Sequence, residues 1–340
     1  MGKQSWGQRG FWGVLGVMLL SVWGLGGCSS LTGLYFHPQQ QWVRTPADLG
    51  LVYDDVQLTP HDGVMLHAWW LPEQSKHLKQ VQVKQEAQET NGVALPPKAE
   101  SPVVLFLHGN AENVSTHMMS VAWLPRKGIP VLALDYRGFG HSQGHPKLPS
   151  VLYDIQAAMD WLEQEMPGRP VVVFGQSIGA ALAISYAGSD AGLSSAIAAV
   201  VAEAPFDGFG DIARTHMSRS VIGWLVWPFT WLLPSSWDPQ AAAGRIRVPV
   251  LILHSQDDRV IPQASGRRVY DALRSERCWI SLKGRHISAM GQPQARKSVA
   301  TFIHQSGCSA FTNASDLATM PRLNLSGGRV DTCQTCGAGH

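Results

Sequence analysis

The chain has 340 residues, 45% of them hydrophobic, and a formal net charge of only +2 at neutral pH. A chain of this length and composition can bury a sizeable core, and it suits one α/β domain with an insertion better than two domains. The near-neutral charge, with no basic run that interleaves aromatic residues, argues against nucleic acid as a partner.

The N-terminus has the pattern of an export signal. Lys3 and Arg9 precede an apolar stretch over residues 11–27, which ends in small residues before Cys28. A short basic region, an apolar core and small residues at its end are typical of secretory precursors. Residues 1–27 are therefore predicted to be a signal peptide, and residues 28–50 a linker to the folded domain.

The residues that lead up to Cys28 resemble a bacterial lipobox, in which the cysteine is lipidated and becomes the first mature residue. No Ala-x-Ala site precedes it, which favours lipidation over ordinary secretion. Ser29, rather than aspartate, implies by family convention the periplasmic face of the outer membrane, if the source has two membranes. The alternative is an uncleaved anchor, because about 18 apolar residues can just span a bilayer. In both cases the membrane is an expected partner, and the protein is expected to be tethered to it outside the cytoplasm.

Eight apolar runs have the length and composition of β-strands. The first two, residues 52–58 and 64–71, are separated by turn residues and are expected to form a hairpin. The later runs are almost continuously apolar, which is typical of parallel strands buried on both faces. They cover residues 103–107, 130–134, 171–174, 197–202, 248–253 and 279–282. With an amphipathic helix over 152–162, they predict a mostly parallel eight-stranded sheet flanked by helices.

Two segments interrupt this alternation. Residues 73–100 are rich in Gln and Lys and are predicted to form a solvated loop. Residues 205–244 are predicted to form a helical lid, whose centre carries Trp224, Trp227 and Trp231. This centre is too short, and too interrupted by proline, to cross a bilayer. Its tryptophans either pack the lid onto the body, or line an acyl pocket or a lipid surface.

The pentapeptide Gly175-Gln176-Ser177-Ile178-Gly179 lies between a predicted strand and a helical stretch of small residues. A strand, then Gly-x-Ser-x-Gly, then a helix is the arrangement of a nucleophile elbow. The tight turn is expected to hold the serine in a strained backbone conformation and to leave room only for glycine on either side. It lifts the Ser177 hydroxyl clear of the sheet and directs the helix N-terminus at the reacting centre.

A serine hydroxyl needs a base to become a nucleophile, so this interpretation depends on an acid and a histidine later in the chain. The strand 248–253 runs into Asp257 and Asp258, and the strand 279–282 runs into His286. The carboxyl ends of neighbouring parallel strands meet at one edge of a sheet, where α/β proteins bind ligands. Ser177, an aspartate and His286 are therefore predicted to form a catalytic triad.

Taken together, the motifs resemble those of the α/β-hydrolase superfamily over residues 52–304. They are His108-Gly109-Asn110-Ala111, Asp135-Tyr136-Arg137-Gly138-Phe139-Gly140-His141-Ser142, the pentapeptide around Ser177, and Asp258-Arg259-Val260-Ile261-Pro262. They look most like the branch that contains bud-emergence-type hydrolases and membrane-associated protein depalmitoylases. The acid of that branch is the aspartate of Asp-x-x-Val-Pro, which falls on Asp258 with Ile261 in place of valine. Asp258 is therefore preferred, and Asp257 stays the alternative.

The resemblance implies an α/β-hydrolase fold with a lid and a role for each of these residues. Asp258 orients His286, which takes the proton of Ser177 as the hydroxyl attacks a carbonyl. The backbone N–H of Ile178 supplies one donor of the oxyanion hole, and the second is assigned to Asn110, with Ala111 as the alternative. No cofactor is needed. His108, which has no role left in this scheme, is expected to brace the oxyanion loop.

Each of these residues also has a purely structural interpretation. Ser177 can be a helix N-cap, His286 a surface residue among 13 histidines, and the aspartates turn residues before Pro262. The structural interpretation requires that a serine, an acid and a histidine occur by coincidence in this order at the ends of strands. The catalytic interpretation is therefore favoured.

Beyond Cys28, the chain contains Cys278, Cys308, Cys333 and Cys336. Four cysteines in an exported protein permit two disulfides, in three alternative pairings. In the polar tail, residues 306–340, two of these cysteines and His340 offer three candidate zinc ligands. No fourth ligand is evident nearby in the sequence, so a disulfide or an inert tail is favoured and no metal site is predicted.

The sequence therefore predicts a lipid-anchored serine hydrolase with a catalytic domain over residues 51–305. Its expected substrates are carboxylic esters or thioesters, either small molecules or acylated partners. A peptidase or amidase of the same fold is the alternative enzyme, because the same triad cleaves every acyl bond. A catalytically idle lipoprotein that uses the fold for binding is the alternative from another class. The sequence indicates neither the natural substrate nor the oligomeric state.

Overall fold

The computed structural model describes residues 30–74, 101–217 and 235–308, which are organised around an eight-stranded sheet. The strands are β1 (Asp54–Leu58), β2 (Leu66–Leu71), β3 (Val103–Leu107), β4 (Val131–Asp135), β5 (Val171–Gln176), β6 (Ile197–Glu203), β7 (Val250–Ser255) and β8 (Arg277–Leu282). Their spatial order is β1-β2-β4-β3-β5-β6-β7-β8. Strand β2 runs antiparallel to both of its neighbours, and the other strand pairs are parallel. The predicted mostly parallel sheet is confirmed, although β1 and β2 each begin two residues later than predicted.

Helices cover both faces of this sheet. The longer ones are α1 (Ser150–Glu165), α2 (Ile178–Ala187), α3 (Phe209–Met217), α4 (Gln263–Ala272) and α5 (Pro293–Gln305). Shorter helical turns span Ser30–Tyr35, Pro46–Leu49, Val114–His117, Met118–Ser120, Pro125–Lys127, Asp190–Leu193, Pro239–Ala243 and Ala289–Gly291. In the predicted amphipathic helix, now α1, the expected apolar positions are buried. The start of the predicted lid is helical, while residues 218–234 and the predicted loop 75–100 lie outside the described ranges.

The core consists of two apolar layers, one on each side of the sheet. Strand β3 shows the division: Val103, Leu105 and Leu107 belong to one layer, and Val104 and Phe106 to the other. Because successive side chains of a strand point to opposite faces, a strand that is apolar at every position needs a helix layer on both sides. This explains why the later strands have no alternating pattern in the sequence.

A disulfide joins Cys278 in β8 to Cys308, which follows α5, across a Cα–Cα distance of 5.8 Å. It connects the end of the last helix to the edge strand of the sheet. This bond belongs to one of the three pairings that the sequence leaves open. Cys333 and Cys336 lie outside the described residues, as does Cys28.

Within the described ranges, no helix has both the length and the apolar content that a bilayer crossing requires. The apolar stretch over residues 11–27 is not among those ranges. The part of the predicted linker that is described, residues 30–50, contacts the folded domain. The ring of Tyr35 lies 5.4 Å from the ring of Phe209 at the start of α3, and the hydroxyl of Thr32 is hydrogen-bonded to Leu148.

Candidate active site

Three polar side chains that are far apart in the sequence meet at the carboxyl edge of the sheet. Ser177 directly follows β5, Asp258 lies three residues beyond the end of β7, and His286 lies in the loop after β8. The Nε2 atom of His286 is 3.0 Å from the Ser177 hydroxyl oxygen, and its Nδ1 atom is 2.6 Å from a carboxylate oxygen of Asp258. Each distance is within hydrogen-bonding range, so the three groups form one continuous chain of hydrogen bonds.

Ser177 has the strained backbone that the pentapeptide predicts, with φ of 55° and ψ of −117°. Glycine is required on both sides of Ser177 because other backbone atoms approach these two positions closely. A Cβ on Gly175 would lie 2.2 Å from the carbonyl oxygen of Gly179, and one on Gly179 would lie 2.2 Å from that of Leu107. Strand, turn and helix could not approach so closely with any larger residue. The strain is therefore built into the local sequence and aims the hydroxyl away from the sheet.

The hydroxyl of Ser177 does not cap the helix that follows it. Although Ser177 occupies the N-cap position of α2, its side chain makes no capping hydrogen bond. Ser189, in contrast, is an ordinary N-cap, because its hydroxyl oxygen accepts a hydrogen bond from the N–H of Gly192. The structural interpretation of Ser177 as a simple cap is thus not supported by the geometry.

The structure brings Asp258, rather than Asp257, to His286. The side chain of Asp258 is completely buried, and its other carboxylate oxygen accepts from the N–H groups of Val260 (2.8 Å) and Ile261 (2.9 Å). Asp257 is exposed, and its carboxylate accepts instead from the N–H of Gly284, at 3.2 Å. The backbone turn at these two adjacent residues therefore directs Asp258 into the protein and Asp257 along the loop.

The surroundings of Asp258 favour its charged form. Burial acts to raise the pKa of its carboxyl group, but the hydrogen bond and the charge interaction with His286 outweigh it. Together with the two backbone donors, they hold the pKa below its ordinary value. His254 packs beside this carboxylate, with Nε2 3.7 Å away, and burial lowers the pKa of its imidazole. Its Nε2 donates to the carbonyl oxygen of Ile261 (3.1 Å), a bond that acts against this decrease.

The loop that was assigned the second oxyanion donor, residues 108–113, begins beside the elbow. It is called the oxyanion loop below. His108 is fully buried, its Nδ1 donates to the carbonyl oxygen of Gly109 (2.7 Å), and its own carbonyl accepts from the Tyr136 hydroxyl (3.2 Å). These contacts support the bracing role expected for His108. Ile178 is the first residue of α2, and Asn110 is the third residue of the oxyanion loop, whose first residue lies beside Gly179 of the elbow.

Residues 37–43, called the strap below, lie across the oxyanion loop. Its first two residues pair in parallel with residues 111–112. The N–H of His37 donates to both oxygens of Asn110, at 3.2 Å for the side chain and 3.4 Å for the carbonyl. Sequence reasoning classed this segment as linker, because a contact between positions 73 residues apart leaves no local pattern.

Asn113 fastens the far end of the oxyanion loop to the same strap. Its side-chain amide donates to the carbonyl oxygens of Gln39 (3.0 Å) and Gln41 (2.9 Å), and its oxygen accepts from the N–H of Ser115. The chain segment that precedes the domain thus takes part in holding the loop next to the nucleophile.

Arg137 of the Asp-Tyr-Arg motif at the end of β4 makes contacts that support the site from a distance. The guanidinium of Arg137 donates to the carboxylates of Asp154 in α1 and Asp62 in the β1–β2 turn, each at 2.6 Å. Burial raises the pKa of Asp154 to about 6, although the bonds from Arg137 oppose this. The motif therefore ties a helix and a hairpin to the sheet.

Glu203 is the main residue of this region that sequence reasoning missed. It is the last residue of β6, only 2% exposed, and it lies between the elbow and the His286 loop. A signal was present in the sequence, since an acidic residue that ends an otherwise apolar, buried strand is unusual. Among the described residues, no cluster of three or more His, Cys, Asp or Glu side chains is placed to hold a metal ion.

Comparison with known proteins adds to this geometry. The family model described as serine aminopeptidase, S33 matches residues 98–238. The uncharacterised protein YfhR of Salmonella typhi is 27% identical over 288 residues, which cover 81% of this chain and 88% of that protein. The lysophosphatidylserine lipase ABHD12 of Rattus norvegicus is 29% identical, over 72% of this chain and 63% of its own length. The Pyrococcus furiosus esterase Pf2001 has a similar structure, with a TM-score of 0.59 at 21% identity, covering 79% of this chain and 98% of that one.

The strand order, the strand–turn–helix at Ser177 and these matches define an α/β-hydrolase fold. The family model and the curated relatives support an α/β-hydrolase superfamily member. Together they support a serine hydrolase of this fold.

Proposed function

We propose that this protein is a lipid-anchored serine hydrolase that cleaves carboxylic esters or thioesters through an acyl-enzyme on Ser177. The observation that carries the proposal is the hydrogen-bonded chain from the Ser177 hydroxyl through His286 to Asp258, with distances of 3.0 and 2.6 Å. A carboxylate can only accept, so Nδ1 of His286 carries the proton that points to Asp258. The lone pair on Nε2 is then free to take the proton of Ser177.

The reaction follows from these proton positions. The Ser177 oxygen attacks the acyl carbon and gives its proton to Nε2, while Asp258 stabilises the resulting imidazolium. The N–H of Ile178 and a donor from the oxyanion loop, assigned to Asn110, stabilise the negative charge on the carbonyl oxygen. His286 then gives the proton to the leaving alcohol or thiol. Water, deprotonated by the same imidazole, releases the acid from Ser177, and no cofactor takes part.

The α-ammonium group of an aminopeptidase substrate would need a free carboxylate. The 205–244 insertion contains three acidic residues, and each is bonded to another group of the protein, which favours esters. Asp207 bonds Ser265 and Arg268, Asp211 pairs with Arg214 at 2.5 Å, and Asp238 accepts from the N–H of Phe209 at 2.9 Å. The central part, residues 218–234, has no Asp or Glu but three tryptophans, which suits an apolar acyl chain.

A fluorophosphonate probe and a substrate panel test this function. We expect the probe to label the folded protein at Ser177, and p-nitrophenyl esters and an acyl thioester to be cleaved much faster than a matched anilide. Long-chain acyl thioesters belong in the panel because the motifs resemble the depalmitoylase branch. Preferred cleavage of the anilide would instead establish the peptidase that the family description names. Absence of labelling on a well-folded protein would favour a binding module.

Anchoring through Cys28 is proposed from the lipobox-like residues that precede it. We expect Cys28→Ser to release the protein from membranes, because the acylated cysteine is then lost. Cys333→Ser is the matched control and should leave the protein in the membrane fraction. A Cys28→Ser protein that stays membrane-bound and keeps its first 27 residues would identify an uncleaved anchor instead. The measurement is fractionation followed by mass spectrometry of the N-terminal peptide.

A further inference from the structure

Glu203 is a buried acid that connects the two halves of the candidate active site. Its carboxylate oxygen Oε2 accepts from the side-chain amide of Gln176, at 2.6 Å, and Oε1 accepts from the N–H of Ala289, at 2.8 Å. Its main-chain carbonyl accepts from the N–H of Ser177, also at 2.8 Å. A single residue thus bonds the nucleophile, the residue before it, and the loop that carries His286.

The loop after β8 needs such an attachment because its backbone is strained. Ile287, which follows His286 directly, has φ of +49°. A β-branched residue rarely adopts this conformation, and it persists only where the surroundings hold it. The bond from Ala289 to Glu203 lies two residues beyond the strain and connects the loop to the end of β6. On the near side, the carbonyl of Gly284 accepts from the hydroxyl of Ser255 in β7. The imidazole is therefore held between two attachments to the sheet.

The hydrogen bonds of Glu203 match its ionised form. Both carboxylate oxygens accept from donors, so neither has an acceptor to which a carboxylic acid proton could be given. Burial raises the pKa of Glu203, and the bonds from Gln176 and Ala289 and the nearby His286 act against this increase. Asp258 also contributes to raising it. The pKa is raised on balance, so it is the donors on both oxygens that indicate a second buried negative charge near the imidazole ring.

We propose that Glu203 is a positioning residue for His286: its carboxylate locks the His286 loop to the nucleophile strand, and its charge stabilises the imidazolium that forms during attack. This inference rests on the proposed serine hydrolase function. In the described part of the chain, the titratable groups that interact with the imidazole are Asp258 and His254 from the end of β7 and Glu203 from the end of β6; Arg285 precedes His286 in the loop. The proton still moves only from Ser177 to His286, so Glu203 takes part in no bond change.

Two substitutions separate the charge of Glu203 from its geometry. In Glu203→Gln, the new side-chain oxygen can still accept from Ala289. The side-chain amide group of Gln176 can rotate so that its oxygen and nitrogen exchange places. Its oxygen, which is buried without a hydrogen bond in this structure, then accepts from the side-chain amide of the glutamine at position 203. This variant removes the charge but keeps both attachments. Glu203→Ala removes both. Asp154→Asn is the matched control, because it neutralises another buried carboxylate that contacts none of the triad.

The main readout is the titration of the His286 ring by NMR of ¹³C-labelled histidine, with the resonance assigned by its loss in His286→Gln. In Glu203→Gln we expect the titration midpoint to fall by about one pH unit, because the imidazolium loses a buried anion. The acidic limb of the kcat/KM profile should shift to lower pH by the same amount. Asp154→Asn should lower the melting temperature and leave the midpoint unchanged.

For Glu203→Ala we expect kcat to fall by about 100-fold with KM within about twofold, because a loosened base affects the transition state and not substrate binding. Amide exchange in residues 284–289 should also accelerate. If Glu203→Gln has the titration midpoint and the pH profile of the wild type, the proposal is overturned. If Glu203→Ala does not fold, the Glu203→Gln measurements alone decide the proposal. Wild-type protein that the fluorophosphonate fails to label would refute the hydrolase function. The ring titration and the amide exchange would still report whether Glu203 positions His286.

Discussion

Replacing Ser177 by alanine is expected to lower kcat for ester hydrolysis by about 10⁴-fold or more, while substrate binding and folding are preserved. The reason is that Ser177 supplies the atom that forms the acyl-enzyme, and no other hydroxyl lies at His286 Nε2 among the hydrogen bonds of the described residues. Steady-state kinetics with a p-nitrophenyl ester measure the loss, and fluorophosphonate labelling should disappear with it. Relief of strain at φ of 55° is not expected, because alanine has the same backbone restrictions as serine.

Ser189→Ala is the matched control for this experiment. Ser189 is also a serine at a helix N-terminus, and its hydroxyl caps the N–H of Gly192 at 3.1 Å. Its loss should cost about 1 kcal/mol of stability and leave kcat unchanged. If Ser177→Ala behaved like Ser189→Ala, losing stability but not activity, Ser177 would be a helix cap and the nucleophile would have to be sought elsewhere.

The second large effect is expected for Asp258→Asn, which should reduce kcat by about 10⁴-fold. The amide group of asparagine can donate to Nδ1 of His286, which favours the tautomer whose proton sits on Nε2. That proton points at Ser177, so the imidazole can no longer accept the hydroxyl proton. The carboxylate that now accepts from Nδ1 at 2.6 Å is therefore essential for the tautomer and for the charge. The pH dependence of kcat and the loss of probe labelling measure the effect.

Asp257→Asn provides the adjacent control. The asparagine oxygen can still accept from the N–H of Gly284, which lies 3.2 Å from the present carboxylate, and the residue is exposed. We expect its kcat to stay within about twofold of wild type. Equal losses in the two variants would contradict the assignment of Asp258, and a larger loss in Asp257→Asn would transfer the role of the acid to that residue.

The elements of this fold could be predicted well because their signals are local. The later strands are buried on both faces and are apolar at almost every position, so their runs in the sequence correspond to strands of the sheet. The strained turn at Ser177 also follows from neighbouring residues, since Gly175 and Gly179 alone allow strand and helix to approach within the observed distances. Strand starts were less certain, as the shift of β1 and β2 shows, because the first hydrogen bond of a hairpin depends on the partner strand.

The contacts around the site were predictable only in part. His286 and an aspartate could be named as candidates because each follows a strand that must end at the same edge of the sheet. The choice between Asp257 and Asp258 came from a family motif, and only the turn geometry separates the directions of their side chains. The pairing of Cys278 with Cys308 was likewise one of several arrangements, because cysteine number carries no information on distance in space.

By itself, the sequence determined the α/β alternation, the nucleophile turn and the candidate residues at the strand ends, because each depends on residues that are adjacent in the chain. Tertiary structure alone decided that the strap holds the oxyanion loop and that Glu203 holds the His286 loop. These contacts join positions 73 and 86 residues apart. A hydrogen bond over such a separation imposes no periodicity on the residues between its ends, and it exists only once the sheet has brought the two segments together.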